Sequence, residues 1–476
     1  MTVKPNLVGG DWVVGTSASR NINPSDITDI VGEFAEATIG QVKDALQAAR
    51  SAAREWALAP LGMRAGVLFE IGNEIDRRRD ELALLLSREE GKALRDSTAE
   101  VSRSAEIFRY FAGEVHRISG ERMASIRPGV GIETINEPVG VVGLITPWNF
   151  PMAIPAWKIA PALAYGNAVL FKPSEVVPAS AWALADIISR SGAPKGVFNL
   201  LMGGGKIGHA IVEQVDAVSF TGSVATGRAI AAQAAARMIP AQCELGGKNP
   251  LIVAADAELA TAVDCAVQGA FFQTGQRCTA SSRLVVDQSI VERFTRALLD
   301  RMQTLVIDEA ISPATEIGPV ADERQLNKDL GYIQIGEKNG ARRAIGGEPL
   351  GRRHPGHYLA PALFVETTND MQINREEIFG PIACIIPVRN YEEAITVAND
   401  TEFGLASSIV TTSLKLAQHF KANARSGITM VNLPTAGIDY HAPLSGMKSS
   451  SYGQPEMGRY TMRFYTKVRT CYTFPG

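Results

Sequence analysis

The chain has few cysteines and histidines, and neither residue type is arranged as metal sites require. Its five cysteines include no CxxC pair, and its six histidines include no HxH or HxxxH pair. Zinc sites are usually built on such pairs, so no metal centre is expected. An odd number of scattered cysteines is typical of a reducing compartment, where thiols are either buried or reactive.

A charge excess of one sign and long apolar runs are lacking as well. The chain has 47 Lys and Arg against 50 Asp and Glu, a formal net charge of −3. This balance gives no electrostatic reason to bind nucleic acid or a membrane surface. Apolar stretches are broken well before the roughly 18 residues of a membrane span. The first ten residues lack the pattern of a signal peptide. We therefore expect a cytoplasmic protein.

The 476 residues are too many for one hydrophobic core, so two or three domains are expected. Residues 38–111 have helical periodicity. Short apolar strands alternate with helices over residues 139–237 and again over residues 250–286, which predicts two parallel sheets covered by helices. Residues 464–473 alternate like a lone strand, which we expect to pair with residues 131–136 or with another subunit.

Cys278 differs from the other cysteines because it follows the polar sequence Thr-Gly-Gln-Arg. A cysteine becomes nucleophilic once ionised, and local donors or a cation such as Arg277 can lower its pKa. By contrast, Cys243, Cys265 and Cys384 lie in apolar runs and are predicted to be buried structural thiols. From these residues alone, a structural and a catalytic role for Cys278 remain equally open.

Two further segments carry groups that suit chemistry at a thiol. Glu244 precedes Leu-Gly-Gly, where glycine lets the backbone approach another group closely. Its carboxylate is suited to act as a general base toward a thiol or a water. Asn149 lies between two prolines, and its amide is suited to stabilise an oxyanion. Taken singly, each is explained more simply as a surface glutamate beside a turn or as a turn-capping asparagine.

Three strand-to-helix junctions carry groups that suit a dinucleotide. Gly203-Gly-Gly-Lys-Ile-Gly208 formally matches GxGxxG, although no acidic residue ends the next strand. Phe220-Thr-Gly-Ser223 offers amides and hydroxyls at the start of a helix, where a pyrophosphate binds well. Lys172 and Glu175 end another strand and can hold ribose hydroxyls.

Together these segments resemble the aldehyde dehydrogenase superfamily over essentially the whole chain. Six motifs carry the resemblance: Pro147-Trp-Asn-Phe-Pro151, Lys172-Pro-Ser-Glu175, Phe220-Thr-Gly-Ser223, Glu244-Leu-Gly-Gly247, Gly275-Gln-Arg-Cys278 and Glu376-Glu-Ile-Phe-Gly-Pro381. The resemblance implies NAD(P)-dependent oxidation of an aldehyde to a carboxylic acid, with Cys278 as nucleophile. Asn149 and the amide of Cys278 would hold the oxyanion. Glu244 would activate the water that hydrolyses a thioester.

The fold class that the resemblance implies is α/β, with two parallel-sheet domains and a small β flap for oligomerisation. The cofactor-binding domain would comprise residues 1–117 and 138–245, and the catalytic domain residues 246–447. The flap would comprise residues 118–137 and 448–476. A homodimer or homotetramer is expected.

Ten cofactor contacts follow from the resemblance: Trp148, Lys172, Ser174, Glu175, Gly208, Gly222, Ser223, Leu245, Glu377 and Phe379. Lys172 and Glu175 would hold the adenosine ribose, and Glu377 the nicotinamide ribose. A carboxylate facing the 2′-hydroxyl repels a 2′-phosphate, so Glu175 favours NAD. NADP remains possible if Glu175 swings aside.

Residues 431–441 and 449–453 are similar to those of family members that oxidise α-ketoglutaric semialdehyde (2,5-dioxovalerate). Such a substrate carries a carboxylate and needs a cation or several donors. The substrate contacts expected on this basis are Arg103, Trp157, Gln273, Arg277 and Leu444. A solvated Arg103 paired with Glu100 or Glu106 is an equal alternative. The chain departs from the family at Leu444, where phenylalanine is common, and at Ser451, where glycine is usual.

Competing functions are also open. Succinic semialdehyde or an aliphatic aldehyde is the alternative substrate. An acylating relative would pass the thioester to coenzyme A, but Glu244 counts against it because hydrolysis by water uses that base. A non-enzymatic binding protein is disfavoured by the intact set of Cys278, Glu244 and Asn149. A cysteine hydrolase is disfavoured because no histidine lies near these motifs.

Overall fold

The computed structural model describes residues 2–476. The strands are β1 (Asn6–Val8), β2 (Asp11–Val13), β3 (Ser17–Asn23), β4 (Asp26–Glu36), β5 (Arg122–Ala124), β6 (Gly131–Pro138), β7 (Val141–Ile145), β8 (Ala168–Lys172), β9 (Phe198–Leu200), β10 (Ala217–Thr221), β11 (Ala241–Glu244), β12 (Pro250–Val253), β13 (Arg283–Asp287), β14 (Arg342–Ile345), β15 (Ala362–Val365), β16 (Ile382–Val388), β17 (Ala406–Val410), β18 (Ile428–Val431), β19 (Ser451–Tyr452) and β20 (Thr466–Thr473).

The helices are α1 (Ile39–Leu58), α2 (Leu61–Arg77), α3 (Arg79–Glu90), α4 (Leu94–Glu114), α5 (Ala153–Ala164), α6 (Pro178–Ser189), α7 (Gly205–Val212), α8 (Val224–Ala236), α9 (Leu259–Ala270), α10 (Val291–Gln303), α11 (Glu323–Lys338), α12 (Gln372–Arg375), α13 (Tyr391–Asn399), α14 (Leu414–Asn423) and α15 (Met462–Tyr465). Short 3-10 helices lie at Val115–Arg117, Phe272–Gly275, Lys448–Ser450 and Gly458–Thr461.

The first sheet has eight strands in the order β19-β11-β10-β7-β8-β9-β1-β2. Its central strands from β11 to β9 are parallel, and β19, β1 and β2 pair antiparallel at the two ends. Alternate residues of β7 and β8 belong to two separate hydrophobic cores, one on each face. Burial on both faces explains why these strands are continuous apolar runs.

The second sheet has seven strands in the order β14-β15-β16-β13-β12-β17-β18. All its pairs are parallel except β14 with β15. The helices α9 and α10 pack on one face of this sheet, and α13 and α14 pack in a separate core. The predicted fold class, with two largely parallel sheets in one chain, is confirmed.

Two small antiparallel sheets complete the structure. The predicted tail strand, β20, pairs along its whole length with β6, which also pairs with β5. The expected partner of the tail is therefore found within the same chain. The strands β3 and β4 form a separate two-stranded sheet. The strands β1 to β4 were not predicted, because residues 6–36 carry mixed polar and apolar positions without clear alternation.

One short strand lies within the range predicted for the flap. Ser451 and Tyr452 form β19, which pairs with Glu244 and Cys243 at the edge of the first sheet. All the domain boundaries stay predictions.

The predicted helical region at residues 38–111 is confirmed as α1 to α4. Thr38 starts α1 with a capping box, in which its hydroxyl accepts from the Gln41 amide and the Gln41 side chain accepts from the Thr38 amide. Gly91 ends α3 with a φ of 89°, a left-handed conformation that glycine adopts without steric cost.

Within residues 2–476, no helix is long and apolar enough to span a membrane. In the same part of the chain, no group of three or more His, Cys, Asp or Glu side chains is arranged to hold a metal ion.

Candidate active site

Four neighbouring strands of the first sheet end at one edge, and the predicted motifs follow them there. Asn149 comes four residues after β7, Lys172 ends β8, Gly222 follows β10, and Glu244 ends β11. In parallel sheets, ligands bind in the crevice beside the carboxyl ends of the strands. The strand order β11-β10-β7-β8 therefore brings the four motifs side by side at such a crevice.

Two cavities open at this edge and meet at Cys278. The smaller has a volume of about 250 Å³ and the larger a volume of about 470 Å³. Ile154, Thr221, Leu245 and Cys278 line both of them. Two molecules, one bound in each cavity, would therefore meet at the Cys278 sulfur.

A left-handed turn positions Cys278. Gln273, Thr274 and Gly275 have φ angles of 55°, 58° and 64°. A Cβ atom at position 275 would lie 2.2 Å from the carbonyl oxygen of Gly380, so glycine is required there. The turn ends the helical segment after α9 and directs the following residues toward the two cavities.

The Cys278 thiol is half-buried, and its pKa is high. Burial, followed by the carboxylates of Glu377 and Glu244, raises the pKa of Cys278 to about 12. The backbone N–H groups of Cys278 and Thr279 bond to the sulfur and act in the opposite direction. At neutral pH the thiol is therefore protonated, and a nucleophilic role requires a group that removes the proton.

The Arg277 guanidinium is engaged by backbone hydrogen bonds. It donates to the carbonyl oxygens of Gln268 and Phe272 at the end of α9, where a cation stabilises a helix C-terminus. Burial lowers the pKa of Arg277 to about 10. The backbone donors at Cys278 and Thr279 lower the pKa of the thiol, but burial and the two carboxylates outweigh them, so the net pKa is raised.

Glu244 is buried and lines the smaller cavity. The Ser451 hydroxyl donates to Glu244 Oε2 at 2.5 Å. Burial, followed by the charge of Glu456, raises the pKa of Glu244 well above its usual range. Glu456 is itself buried and ion-paired with Lys158, and it accepts from Trp157 Nε1 at 2.7 Å. Glu244 therefore lies above a buried ion pair rather than on the surface.

Asn149 is held in place by a second buried ion pair. Lys92 Nζ donates to the Asn149 carbonyl oxygen at 2.7 Å and to Glu100 Oε2 at 2.6 Å. Glu100 Oε1 accepts from two backbone N–H groups at the start of α5. The Asn149 amide nitrogen donates to the Gln276 carbonyl at 3.0 Å, two residues before Cys278. The amide is thus fixed close to the thiol.

The larger cavity brings together eight of the ten residues predicted for a cofactor. They are Trp148, Ser174, Glu175, Gly222, Ser223, Leu245, Glu377 and Phe379. The helix α8 begins beside it with Ser223 as N-cap, so the positive end of a helix dipole faces the cavity. Gly208 and Lys172 do not line it. A Cβ at Gly208 would lie 3.9 Å from Lys172 Cδ, so the two residues are neighbours.

Lys172 and Glu175 form an ion pair at the rim of the larger cavity, with 3.3 Å between Nζ and Oε2. The Lys172 side chain is 6% exposed and that of Glu175 is 57% exposed. Burial lowers the pKa of Lys172, and the Glu175 charge acts in the opposite direction. The carboxylate is therefore the member of the pair that a ligand reaches from solvent.

Glu377 and Phe379 close the other end of the larger cavity. Glu377 Oε1 accepts from the Gly247 amide at 3.0 Å, and burial raises the pKa of Glu377. Phe379 has a φ of 71° and packs edge-on against Trp148, with 5.4 Å between ring centroids. The positive φ shows that the backbone is held in a rare conformation to place this ring.

All five residues predicted for a substrate line the smaller cavity: Arg103, Trp157, Gln273, Arg277 and Leu444. Its wall is otherwise largely apolar and includes Phe150, Ile154, Leu405, Ile438 and Met457. Arg103 Nη1 donates to the Ile438 carbonyl oxygen at 2.6 Å. Glu100, the expected partner of a solvated Arg103, is instead paired with Lys92.

Sequence comparison identifies the family to which these motifs belong. The family model described as "Aldehyde dehydrogenase family" matches residues 12–471. The chain belongs to the aldehyde dehydrogenase family. The resemblance inferred from the six motifs is thereby confirmed, as is the predicted enzyme class of NAD(P)-dependent aldehyde dehydrogenase.

Two curated aldehyde dehydrogenases are similar over almost the whole chain. An alpha-ketoglutaric semialdehyde dehydrogenase of Bacillus subtilis is 39% identical over 477 residues, 99% of this chain and 98% of the relative. A 2,5-dioxopentanoate dehydrogenase of Saccharolobus solfataricus is 38% identical over 471 residues, 97% of each chain.

Solved aldehyde dehydrogenases share the fold throughout. A betaine aldehyde dehydrogenase from Staphylococcus aureus, crystallised in complex with NAD+, is 33% identical with a TM-score of 0.96, covering 99% of this chain and 95% of that chain. An NAD-dependent aldehyde dehydrogenase from Sinorhizobium meliloti is 34% identical with a TM-score of 0.96, covering 100% and 95%.

Several residues at this aldehyde dehydrogenase site were not predicted. The helix α11 adds Arg324, Gln325 and Lys328 to the larger cavity, although its sequence is that of an ordinary amphipathic helix. The buried charges Lys92, Glu100, Lys158 and Glu456 were also missed. The sequence does give one indication that Glu100 is paired. Glu100 lies on the same buried face of α4 as Val101, Ser104 and Phe108, where a charged residue needs a partner.

Proposed function

We propose that Cys278 carries the aldehyde oxidation of this enzyme through a covalent thioester, with Asn149 and Glu244 acting on the same reacting centre. The observation that carries the proposal is the position of the Cys278 sulfur at the junction of the two cavities. An aldehyde in the smaller cavity and a cofactor in the larger would be adjacent at this point, as direct transfer of a hydride between them requires.

A dinucleotide fits the larger cavity on chemical grounds. Its volume of about 470 Å³ extends from the exposed Glu175 carboxylate to Glu377, and both carboxylates can accept from ribose hydroxyls. Between them lies the N-terminus of α8, which suits a pyrophosphate. We propose NAD as the cofactor, as in the solved betaine aldehyde dehydrogenase, because Glu175 repels a 2′-phosphate. Bound NAD supplies the nicotinamide ring that accepts a hydride.

The first step that this chain performs is attack on the aldehyde carbon. The Cys278 sulfur forms a bond to that carbon, and the thiol proton leaves to Glu244, directly or through a water. The carbonyl oxygen becomes an oxyanion, which accepts hydrogen bonds from the Asn149 side-chain amide and the Cys278 backbone N–H. Since the pKa of Cys278 is about 12, removal of this proton is part of the barrier.

Hydrolysis follows loss of the hydride from the thiohemiacetal carbon. Glu244 first releases the thiol proton to solvent. It then removes a proton from a water, whose oxygen adds to the thioester carbonyl, and the same amides hold the second oxyanion. The carbon–sulfur bond then breaks, the thiol is restored with one proton, and a carboxylic acid leaves. Glu244 lines the cavity that also holds Cys278, so one base can serve both steps.

We propose α-ketoglutaric semialdehyde as substrate and 2-oxoglutarate as product. The named function of the Bacillus subtilis relative supports this assignment. The cavity supports it chemically, because a largely apolar tunnel leads from Cys278 to the Arg103 guanidinium. A cation at that end can pair with the carboxylate of a short ω-carboxylated aldehyde.

A panel of aldehydes tests the substrate assignment. NADH formation would be followed with α-ketoglutaric semialdehyde, succinic semialdehyde, betaine aldehyde and unbranched aliphatic aldehydes, with NAD and with NADP. We expect the highest kcat/KM for α-ketoglutaric semialdehyde with NAD. An uncharged aldehyde with an equal or higher kcat/KM would contradict the assignment. Acid formation that requires coenzyme A would contradict the hydrolytic step.

We propose that the sheet formed by β20, β6 and β5 joins subunits into a homodimer or homotetramer. Val468, Tyr472 and Phe474 on or after β20, and Ile126 after β5, are largely exposed apolar side chains. Exposed apolar groups on a sheet with free edges favour association. Light scattering after gel filtration checks this, with a monomer at micromolar concentration as the contradicting result. Val468→Lys is expected to weaken the assembly.

We propose the cytoplasm as the location. All five cysteines are free, which agrees with a reducing compartment. Fractionation of cells that produce the native protein tests this, and recovery from an oxidising compartment would contradict it.

A further inference from the structure

Ser451 lies directly across from Glu244 in the pair of strands formed by β19 and β11. Its hydroxyl donates to Glu244 Oε2 at 2.5 Å and accepts from the Gly446 amide at 2.6 Å. Because the Gly446 N–H occupies a lone pair of the hydroxyl, the single hydroxyl proton is left for the carboxylate. Most members of the family have glycine here, which has no side chain to offer.

The segment that carries Ser451 is anchored on both sides. Ser450 is fully buried, and its hydroxyl donates to the Gly246 carbonyl at 2.8 Å and accepts from the Gly404 amide at 2.9 Å. Its carbonyl accepts from the Leu245 amide at 2.8 Å. Ser451 is thus held at a fixed distance from the loop that begins at Glu244, and its hydrogen bond does not depend on a mobile segment.

Ser451 is the strongest of the groups that favour the charged form of Glu244. Burial and the Glu456 carboxylate raise the pKa of Glu244, whereas the Ser451 hydroxyl, then Lys158 and the Gly446 amide, lower it. The other titratable groups that face Glu244 are the thiols of Cys278 and Cys243. A hydrogen bond from a hydroxyl stabilises a carboxylate over the carboxylic acid, which cannot accept as strongly.

We infer that Ser451 is a positioning residue that keeps Glu244 ionised and directed at the cavity of Cys278, and so sets the lower pH limit of thioester hydrolysis. The inference rests on the proposed role of Glu244 as the base. Loss of the hydroxyl leaves a buried carboxylate with one fewer donor, which then binds a proton at higher pH. There is therefore a pH range in which the variant lacks the ionised base while the native enzyme retains it.

The test follows decay of the thioester after the first turnover, by rapid quench with α-ketoglutaric semialdehyde and NAD from pH 5.5 to 9.5. Ser451→Ala and Ser451→Gly remove the hydroxyl, and the second introduces the residue usual in the family. We expect both to slow decay roughly fivefold at pH 6, which is within the range of one hydrogen bond to a charged group. The difference from the native rate should shrink steadily toward pH 9.5, since rising pH favours the ionised form of Glu244 in every variant.

Two variants serve as controls. Ser451→Thr retains the hydroxyl and should restore the native pH profile. Ser449→Ala removes a neighbouring hydroxyl that accepts from Arg228 at 2.9 Å and does not contact Glu244. It should leave the profile unchanged.

A double-variant comparison separates this inference from the role of Glu244. Glu244→Gln alone should slow hydrolysis at every pH, and adding Ser451→Ala should change nothing further. If Glu244→Gln hydrolysed the thioester at the native rate, Glu244 would not be the base, which would count against the proposed function. A slow Glu244→Gln together with native pH profiles for Ser451→Ala and Ser451→Gly would overturn the role of Ser451 alone. Thioester decay slowed by the same factor at every pH in Ser451→Ala and Ser451→Gly would overturn that role as well.

Discussion

The Arg103 guanidinium donates a hydrogen bond of 2.6 Å to the carbonyl oxygen of Ile438, joining the helix α4 to the loop that follows β18. In residues 2–476, the structure shows no carboxylate within 4.0 Å of this guanidinium. Its charge is therefore not neutralised by an ion pair within the chain. The Ile438 carbonyl fixes one edge of the group and leaves its remaining N–H donors for a ligand.

Substitution of Arg103 should impair binding of carboxylated aldehydes selectively. We expect Arg103→Ala to raise KM for glutaric semialdehyde roughly 10- to 100-fold, in line with loss of a hydrogen bond between charged groups. For pentanal, an uncharged aldehyde of the same length, KM should change less than about twofold. Arg109→Ala serves as control, since Arg109 lies on the same helix and pairs with Asp76 at the surface. An unchanged KM for glutaric semialdehyde would exclude Arg103 from the substrate site.

Glu175 should control the choice between NAD and NADP. In Glu175→Gln the negative charge beside the 2′-position is removed, and Lys172, with which it pairs at 3.3 Å, is free to bind a phosphate. We expect the ratio of kcat/KM for NAD to that for NADP to fall roughly tenfold, the size of one charge interaction near a protein surface. Glu292→Gln, on the distant helix α10, should leave the ratio unchanged. The same ratio in both variants would show that Glu175 does not face the ribose.

The Cys278 thiol should be unreactive at neutral pH when no ligand is bound. Its pKa is raised to about 12, and below the pKa the thiolate fraction grows about tenfold with each pH unit. Alkylation by iodoacetamide, measured on the peptide that contains Cys278, should therefore keep rising from pH 7 to 10. Glu377→Gln removes a nearby negative charge and should speed alkylation at each pH. A plateau near pH 7 would contradict this picture of the site.

The buried pair of Lys92 and Glu100 should contribute strongly to stability. Lys92→Met retains most of the side-chain volume but leaves Glu100 buried without its cation, which costs about 3–5 kcal/mol in free energy of unfolding. Urea denaturation followed by fluorescence measures the change. Lys195→Met is the control, because its pair with Asp11 is exposed and contributes about 1 kcal/mol or less. Equal effects of the two substitutions would mean that Glu100 is compensated by other groups.

The motifs around Cys278 were predictable because they are contiguous in sequence, and glycine or proline marks each of them. Their convergence followed from the strand–helix alternation, which predicts parallel strands whose carboxyl ends share an edge. The pKa of Cys278 was not predictable, since it depends on Glu377 and Glu244, which lie 99 and 34 residues away. The hydrogen bonds of Arg277 were missed for a related reason. They depend on where α9 ends, and a helix end is poorly located by sequence alone.

The buried charged groups next to the site were not predicted because each, taken alone in the sequence, resembles a surface residue. Lys158 and Glu456 are 298 residues apart and are buried only as a pair. Likewise, the contact between Ser451 and Glu244 depends on the pairing of β19 with β11, which the sequence does not indicate. Contacts of this kind arise from tertiary packing, which local sequence propensity does not predict.

The most direct test of covalent catalysis at Cys278 is mass spectrometry of the enzyme quenched during turnover. The native enzyme would be mixed with α-ketoglutaric semialdehyde and NAD, quenched in acid within the first turnover and digested. The account predicts one equivalent of NADH and a mass increase equal to the acyl group on the peptide that contains Cys278. Cys278→Ser should show neither. NADH formation by Cys278→Ser at the native rate, or an acyl group on another residue, would contradict the account.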